Sequence, residues 1–355
     1  MSVPPSTSTM GELRARVAAA PSGPPDPPAL SVAVMAHGRV EEAAGFGLLA
    51  ADGQRQAGPE SIFHAASMSK LVTALAALRL VAQGDIDLDQ DIDRYATTWR
   101  LPRATSGGAV TLRMLLSHHS GIVDADGAFD VILPGSTRPS IDDVLRGRHA
   151  PSARAVRQEH EPGVRFVYSD AGYGVVERLL TDVIGAPFTA LMSELVLQPL
   201  GMTRSRFGTP EELGADVADG HDSAGVVIEG RRPDYPCSAA AGLWSTPTDL
   251  CQIARELHRA LRDSGALGIP GALARDMVSG QFDTGWAGLG AFLGGDPAGT
   301  RITSLGWGVG FQCMLRAYPD SGDAVVVMTN SDPGRPQDEA ISGQVVEIVE
   351  RLRGW

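Results

Sequence analysis

Two apolar runs open the ordered pattern of the chain. Leu30–His37 is apolar and partly β-branched, and it stops at Gly38. Val40–Leu49 follows, and two such runs around His37-Gly38-Arg39 predict a β-hairpin. At Ser67–Gln83 the period changes. Leu71, Val72, Leu75 and Leu78 recur at helical spacing, the interior is rich in Ala and Leu, and Gly84 supplies a stop. From about 90 to 280, helical segments alternate with Gly/Pro loops. They are Leu112–Leu116, Ile141–Arg146, Ala171–Ile184, Phe188–Val196 and Pro247–Arg262. Strand-like runs return at Arg301–Leu305, Phe311–Tyr318 and Asp323–Thr329, the last two joined by a turn at Asp320–Asp323. Asp338–Leu352 reads as a closing helix, with Val345, Val346, Ile348, Val349 and Leu352 as its apolar positions.

Strands at both ends with helices between them predict an antiparallel sheet built from both termini. The fold class is α/β (α+β). Residues 29–90 and 285–355 form an α/β lobe, residues 91–284 a mostly helical lobe, and together they make one domain. Residues 1–28, rich in Pro, Ser and Ala, read as a flexible N-terminal arm with a short helix at Gly11–Ala20 and an extended Pro21–Pro28. No internal repeat is visible.

Charge and composition narrow the function classes. The 355 residues carry a net charge of -12, which argues against a nucleic-acid partner, because a phosphate backbone needs a basic face. No apolar run is long enough to predict a membrane span. The N-terminus lacks a basic segment followed by an apolar one, so a cytoplasmic location is expected. Cys237, Cys251 and Cys313 are odd in number and form no C-x-x-C pair; small buried thiols are expected rather than disulfides or a metal knuckle.

One feature of composition bears directly on chemistry. Lysine plus arginine total 30, and Lys70 is the single lysine. Arginine stays charged near neutral pH, whereas a lysine can lose its proton where its surroundings allow. That lone lysine stands three residues after Ser67, and residues i and i+3 share a helical face. A serine hydroxyl is a weak nucleophile until a base removes its proton, and Lys70 could be that base or hold a second one. The helix N-terminus would favour negative charge developing at Ser67.

Two further pieces belong with this pair. Tyr168-Ser-Asp170 offers a phenol that can act as general base and then general acid, so either Lys70 or Tyr168 could take the first proton. Ser304-Leu-Gly306-Trp-Gly308-Val-Gly310 offers a strand along which a substrate backbone can lie close. There the N–H of Trp307, paired with that of Ser67, is a candidate oxyanion donor. His64, just before the nucleophile, is a further candidate for the site. His118-His119 resembles a metal pair, but no H-E-x-x-H or similar set accompanies it, so polar packing is expected and no metal. No G-x-S-x-G elbow and no G-x-G-x-x-G after a strand occur, which disfavours an α/β-hydrolase and a dinucleotide cofactor; none is expected.

These three pieces, in this order, resemble the penicillin-recognising serine enzymes, and most of all the class C β-lactamase-like group of esterases, D-amino-acid peptidases, DD-peptidases and acyltransferases. Leu115-Leu-Ser-His-His-Ser-Gly121 resembles that group's LLxHTSG segment. Pro162–Tyr173 resembles PGxxFxYSNxGY, Pro199–Met202 its PLGM turn, Ala241–Leu250 its AGGLxSTxxDL, and Val325–Asn330 its VVVxTN strand. The resemblance implies the β-lactamase/DD-peptidase-like fold, with the active site between an α/β lobe and a helical lobe. It implies Ser67 as nucleophile, Lys70 as its proton partner, Tyr168 as shared acid/base, and Ser304-Leu305-Gly306 as the strand beside the substrate.

The pattern departs from the group at two positions. Asp170 stands where Asn is usual. A carboxylate there has no N–H to offer substrate, raises the pKa of Lys70, and makes Tyr168 the better base; it could also bind a cationic substrate group. Ser304 replaces the usual Lys, His or Trp and leaves no cation for a substrate carboxylate, which weakens a β-lactamase or DD-peptidase reading. The function expected is a serine hydrolase acting on a small ester, amide or thioester through an acyl-enzyme on Ser67. The alternatives are an acyltransferase passing the acyl group to an alcohol or amine, and a binding protein that has lost the chemistry.

Overall fold

The computed structural model describes residues 9–13, 27–104, 107–125, 127–149, 153–296 and 299–355. Residues 9–13 form a helical turn, α1. The sheet is made by β1 (Ala29–Ala36), β2 (Arg39–Gly47), β6 (Phe292–Asp296), β7 (Gly299–Gly308), β8 (Phe311–Tyr318) and β9 (Asp323–Thr329). Its order is β2-β1-β9-β8-β7-β6, antiparallel throughout, so strands from the two ends of the chain meet where β1 pairs with β9. A second, small sheet joins β3 (Phe63–His64), β4 (Arg206–Phe207) and β5 (Leu243–Ser245). The helices are α2 (Ser69–Gln83), α3 (Leu112–Leu116), α4 (Ile141–Leu145), α5 (Asp170–Ile184), α6 (Phe188–Met192), α7 (Ser238–Ala241), α8 (Pro247–Ala260), α9 (Gly271–Met277) and α10 (Ile341–Arg353).

The central strands read as unbroken apolar runs because both faces are covered. Every residue of β1 and β9 is buried. Along β9, Val325 and Val327 join Leu30, Val32 and Val34 in a cluster with Val345, Val346 and Val349 of α10. The alternate residues Val326 and Met328 enter the larger core, which holds α2, α5 and α8. Period-two alternation thus feeds two cores from one strand. Met10 and Leu13 of α1 are buried in the α10 cluster, and Met10 N–H donates to Glu42, so this part of the expected arm is docked. Residues 1–8 and 14–26 of that arm lie outside the described residues, as does most of the helix expected at Gly11–Ala20.

Several expectations shift for local reasons. Ser67 sits on a 3-10 turn, Ala66–Met68, and the α-helix begins only at Ser69. Ala66 takes a left-handed φ of 46°, and Met68 N–H reaches back to Ala65 O at 3.0 Å, so the α ladder cannot start earlier. The closing helix starts at Ile341 rather than Asp338, because Gln337 C=O accepts the N–H groups of Ala340 and Gly343 in a preceding turn. The helix at Phe188 ends at Met192 and continues as a π turn, Ser193–Leu197. The three cysteines are free and buried, as expected. Among the described residues no single helix is long and apolar enough to cross a membrane.

Asn330, just after β9, ties the strands from the two ends of the chain together. It is fully buried; its side-chain oxygen accepts Ala29 N–H at 2.7 Å and its amide donates to Leu49 C=O at 3.1 Å. Asn330→Ala removes the side-chain acceptor of the buried Ala29 N–H, while Leu49 C=O keeps Asp219 N–H at 2.8 Å, and is expected to cost about 1–3 kcal/mol. Urea unfolding measures this, and an unchanged midpoint would refute the tie.

Candidate active site

The turn at Ser67 is held from below by its own neighbours. Ser69 Oγ donates to Ala66 C=O at 2.6 Å and accepts Leu243 N–H at 3.0 Å, which fixes the turn to β5. The left-handed, buried Ala66 immediately before the serine is a strained backbone position, of the kind that concentrates at functional sites. Lys70 lies one turn on and is only 3% exposed. Its Nζ donates to Ser67 Oγ at 2.9 Å and to Ala240 C=O at 3.0 Å, and forms an ion pair with Asp170 Oδ1 at 2.7 Å. Asp170 Oδ1 lies off the line of a good hydrogen bond, so the pair is chiefly Coulombic. The ring centroids of Tyr168 and Tyr173 stand 4.9 and 5.6 Å from the same Nζ. Burial alone would lower the Lys70 pKa; the Asp170 carboxylate, with Tyr168 adding to it, outweighs burial and holds the group above the ordinary lysine range.

Three helices meet here through small residues and backbone. Helix α7 is Ser-Ala-Ala-Ala, so α2 and α5 can reach its main chain. Thr73 Oγ1 of α2 donates to Ala239 C=O at 3.0 Å, and Glu177 of α5 accepts Ala239 N–H at 2.8 Å. Glu177 is buried, and that burial pushes its carboxyl pKa up to about 7.

The start of α5 is secured by a residue that the sequence pattern did not single out. Asp124 accepts Asp170 N–H at 2.8 Å, Ala171 N–H at 2.9 Å and the Ser169 hydroxyl at 2.7 Å. Ser169 Oγ in turn accepts Gly172 N–H at 2.9 Å. The N-terminal donors of α5 are therefore satisfied by side chains, and the carboxylate complements the helix dipole. Burial, then the nearby Asp170 charge, raise the Asp124 pKa. Its one sequence signal is its place three residues beyond Gly121 of the Leu115–Gly121 segment.

Tyr168 is 40% exposed and lines a narrow cleft. Ser67, Lys70, His118 and Ser304 line the same cleft. His118 stacks on Tyr168 with centroids 4.4 Å apart, and its Nδ1 accepts Ser169 N–H. Burial, then the Lys70 charge, push its pKa well down, so it packs as a neutral ring. His119 bonds Ser117 C=O and the Thr284 hydroxyl. The histidine pair is thus engaged in polar packing, as its sequence context suggested.

Strand β7 closes the other side. A Cβ on Gly306 would stand 2.3 Å from Ala65 C=O, so glycine is what lets the strand touch the Ser67 turn. Gln337 donates to Gly306 C=O at 3.1 Å and steadies it. Trp307 follows, its indole turned outward to Asp332 at 2.7 Å.

Ser67, Lys70, Tyr168, Ser304 and Gly306 are therefore brought together. Two expected substrate contacts are placed elsewhere. His64 is buried behind the site: Nε2 bonds Ala241 C=O at 2.7 Å, the ring stacks on Tyr235, and burial pushes its pKa down to about 4. Asp170 faces Lys70 and is not on the cleft wall, so its charge is spent on the ammonium rather than offered to a cationic substrate.

This fold and site define a class. The chain belongs to the beta-lactamase family, whose family model matches residues 22–350. It is 24% identical over 221 residues to Protein flp of Staphylococcus aureus, covering 62% of this chain and 42% of that protein. It is 29% identical over 230 residues to Esterase EstB of Burkholderia gladioli, covering 61% and 57%. The chain thus spans about half the length of these relatives. The D-amino acid amidase of Ochrobactrum anthropi SV3, solved with L-phenylalanine amide, superposes with a TM-score of 0.74 at 21% identity, over 98% of this chain and 96% of that one. At that identity the likeness shows the shared fold.

Gly306→Ala forces β7 away from Ala65. The expected cost is about 1–3 kcal/mol, read by thermal unfolding; a variant as stable as the native chain would refute the close approach.

Proposed function

We propose that this chain is a serine hydrolase that cleaves a small ester or amide through an acyl-enzyme on Ser67. The observation that carries this reading is the 2.9 Å hydrogen bond from a buried lysine to the Ser67 hydroxyl at the floor of an open cleft. An esterase among the relatives and an amidase among the structural neighbours agree with that substrate chemistry.

The roles follow from charge. Asp170 holds Lys70 as the ammonium, so Lys70 donates to Ser67 Oγ and cannot take its proton. Tyr168, as its phenolate, is the group left in the cleft to accept it. Ser67 Oγ attacks the carbonyl carbon, and the oxyanion turns to the N–H groups of Ser67 and Trp307. Tyr168 then passes the proton to the departing alcohol or amine. Water repeats the sequence on the acyl-enzyme, releases the acid and restores Ser67. The exposure of Tyr168 favours hydrolysis over transfer, since solvent reaches the acyl-ester beside it.

Two experiments test this. A fluorophosphonate should add to the native chain and not to Ser67→Ala, by intact mass, and ester turnover should fall at least ~1,000-fold in the variant. Equal labelling of both would remove Ser67 from the mechanism. In Asp170→Asn, Lys70 loses the carboxylate that raises its pKa, so the ammonium is lost at lower pH. The alkaline limb of kcat/KM is expected to move down by about one unit or more. Movement of the acid limb instead would make Lys70 the base.

A further inference from the structure

One wall of the cleft is built from aromatic rings that the proton-transfer chemistry does not use. Phe166 and Phe292 line the cleft, together with Ala287, Ala291 and Leu305. Trp286 is near both rings, 4.5 Å from Phe166 and 6.1 Å from Phe292 by centroids. It is 49% exposed, beside the buried Ala287. An indole left half in water next to a cleft is apolar surface that a ligand can cover.

The position of the wall says which part of a substrate lies on it. Tyr168 shares it: its ring is 6.5 Å from Phe292, and Phe166 is two residues before it on the same extended segment. In the proposed reaction Tyr168 hands its proton to the leaving oxygen or nitrogen. The body of the leaving group therefore extends from Tyr168 over Phe166, Trp286 and Phe292. The charge of that group follows from the lining. Lys70 is the one cationic side chain on the cleft wall among the described residues, and Asp170 already pairs with it. A carboxylate on the leaving group would lose water there and gain no partner.

We propose that Phe166, Trp286 and Phe292 form a leaving-group subsite for an uncharged aromatic alcohol or amine, so that the preferred substrates are benzyl-type or aryl esters or amides with a modest acyl group. This rests on the Ser67 reading above, and the test separates the two.

Four esters distinguish the sides of the scissile bond: ethyl acetate, benzyl acetate, methyl acetate and methyl phenylacetate. Benzyl acetate should exceed ethyl acetate in kcat/KM by at least tenfold, and methyl phenylacetate should show no such gain over methyl acetate. The benzyl-to-ethyl ratio should fall at least fivefold in Trp286→Ala and in Phe292→Leu, the second of which keeps apolar bulk and loses the ring. A ratio cancels any general loss of active enzyme. Turnover with no benzyl preference, or a preference on the acyl side only, overturns the subsite while leaving Ser67 chemistry in place. Binding of benzyl alcohol, followed by ligand-observed NMR on the whole chain, needs no catalysis. It should be at least fivefold weaker in Trp286→Ala; equal binding to both overturns the proposal, whatever the labelling of Ser67 shows.

Discussion

A buried ammonium has to be surrounded by acceptors, and much of this molecule is arranged around that need. Lys70 finds a hydroxyl from its own turn, a carbonyl from α7 and a carboxylate from α5. Leaving such a charge unpaired would cost about 3–5 kcal/mol. The three elements that supply partners are consequently locked in register, and the turn that carries Ser67 is one of them. The same enclosure favours the ammonium form of the lysine, because the Asp170 carboxylate outweighs the burial that would lower its pKa.

Support for that arrangement lies one layer further out and is largely main-chain in kind. Asp124 gathers the first N–H groups of α5 and so sets where both Asp170 and the Tyr168 segment begin. Glu177, further along the same helix, holds the first turn of α7. Ser69 joins the turn of Ser67 to β5. Each bond is ordinary in strength; together they tie the acceptors to the charge, so the cluster is set by backbone positions more than by flexible side chains.

What could be read from the chain follows from where the physics is local. The runs of β1 and β9 and the period of α2 are dictated by burial along a single element, and they stand close to where the apolar pattern put them. The pairing of Ser67, Lys70 and Tyr168 was legible because spacing within one turn and a lone lysine are both visible in one dimension. By contrast, β6 (Phe-Leu-Gly-Gly-Asp) has too little side chain to show a pattern, and the two- and three-residue strands of the small sheet exist only through their partners. The left-handed Ala66, the capping by Asp124, the retreat of His64 behind the site and the meeting of Phe166 with Trp286 all depend on contacts between distant segments. No single stretch encodes them.

The bare glycine at 306 separates two properties of the strand that faces the Ser67 turn. Its backbone rests on Ala65, so the course of β7 past Ser67 is set without any side chain at that point. Position 304, two residues earlier on the same face, takes no part in that contact and lines the cleft with a hydroxyl. What the strand offers to the cleft and where its backbone runs are in this sense set by different residues of one strand.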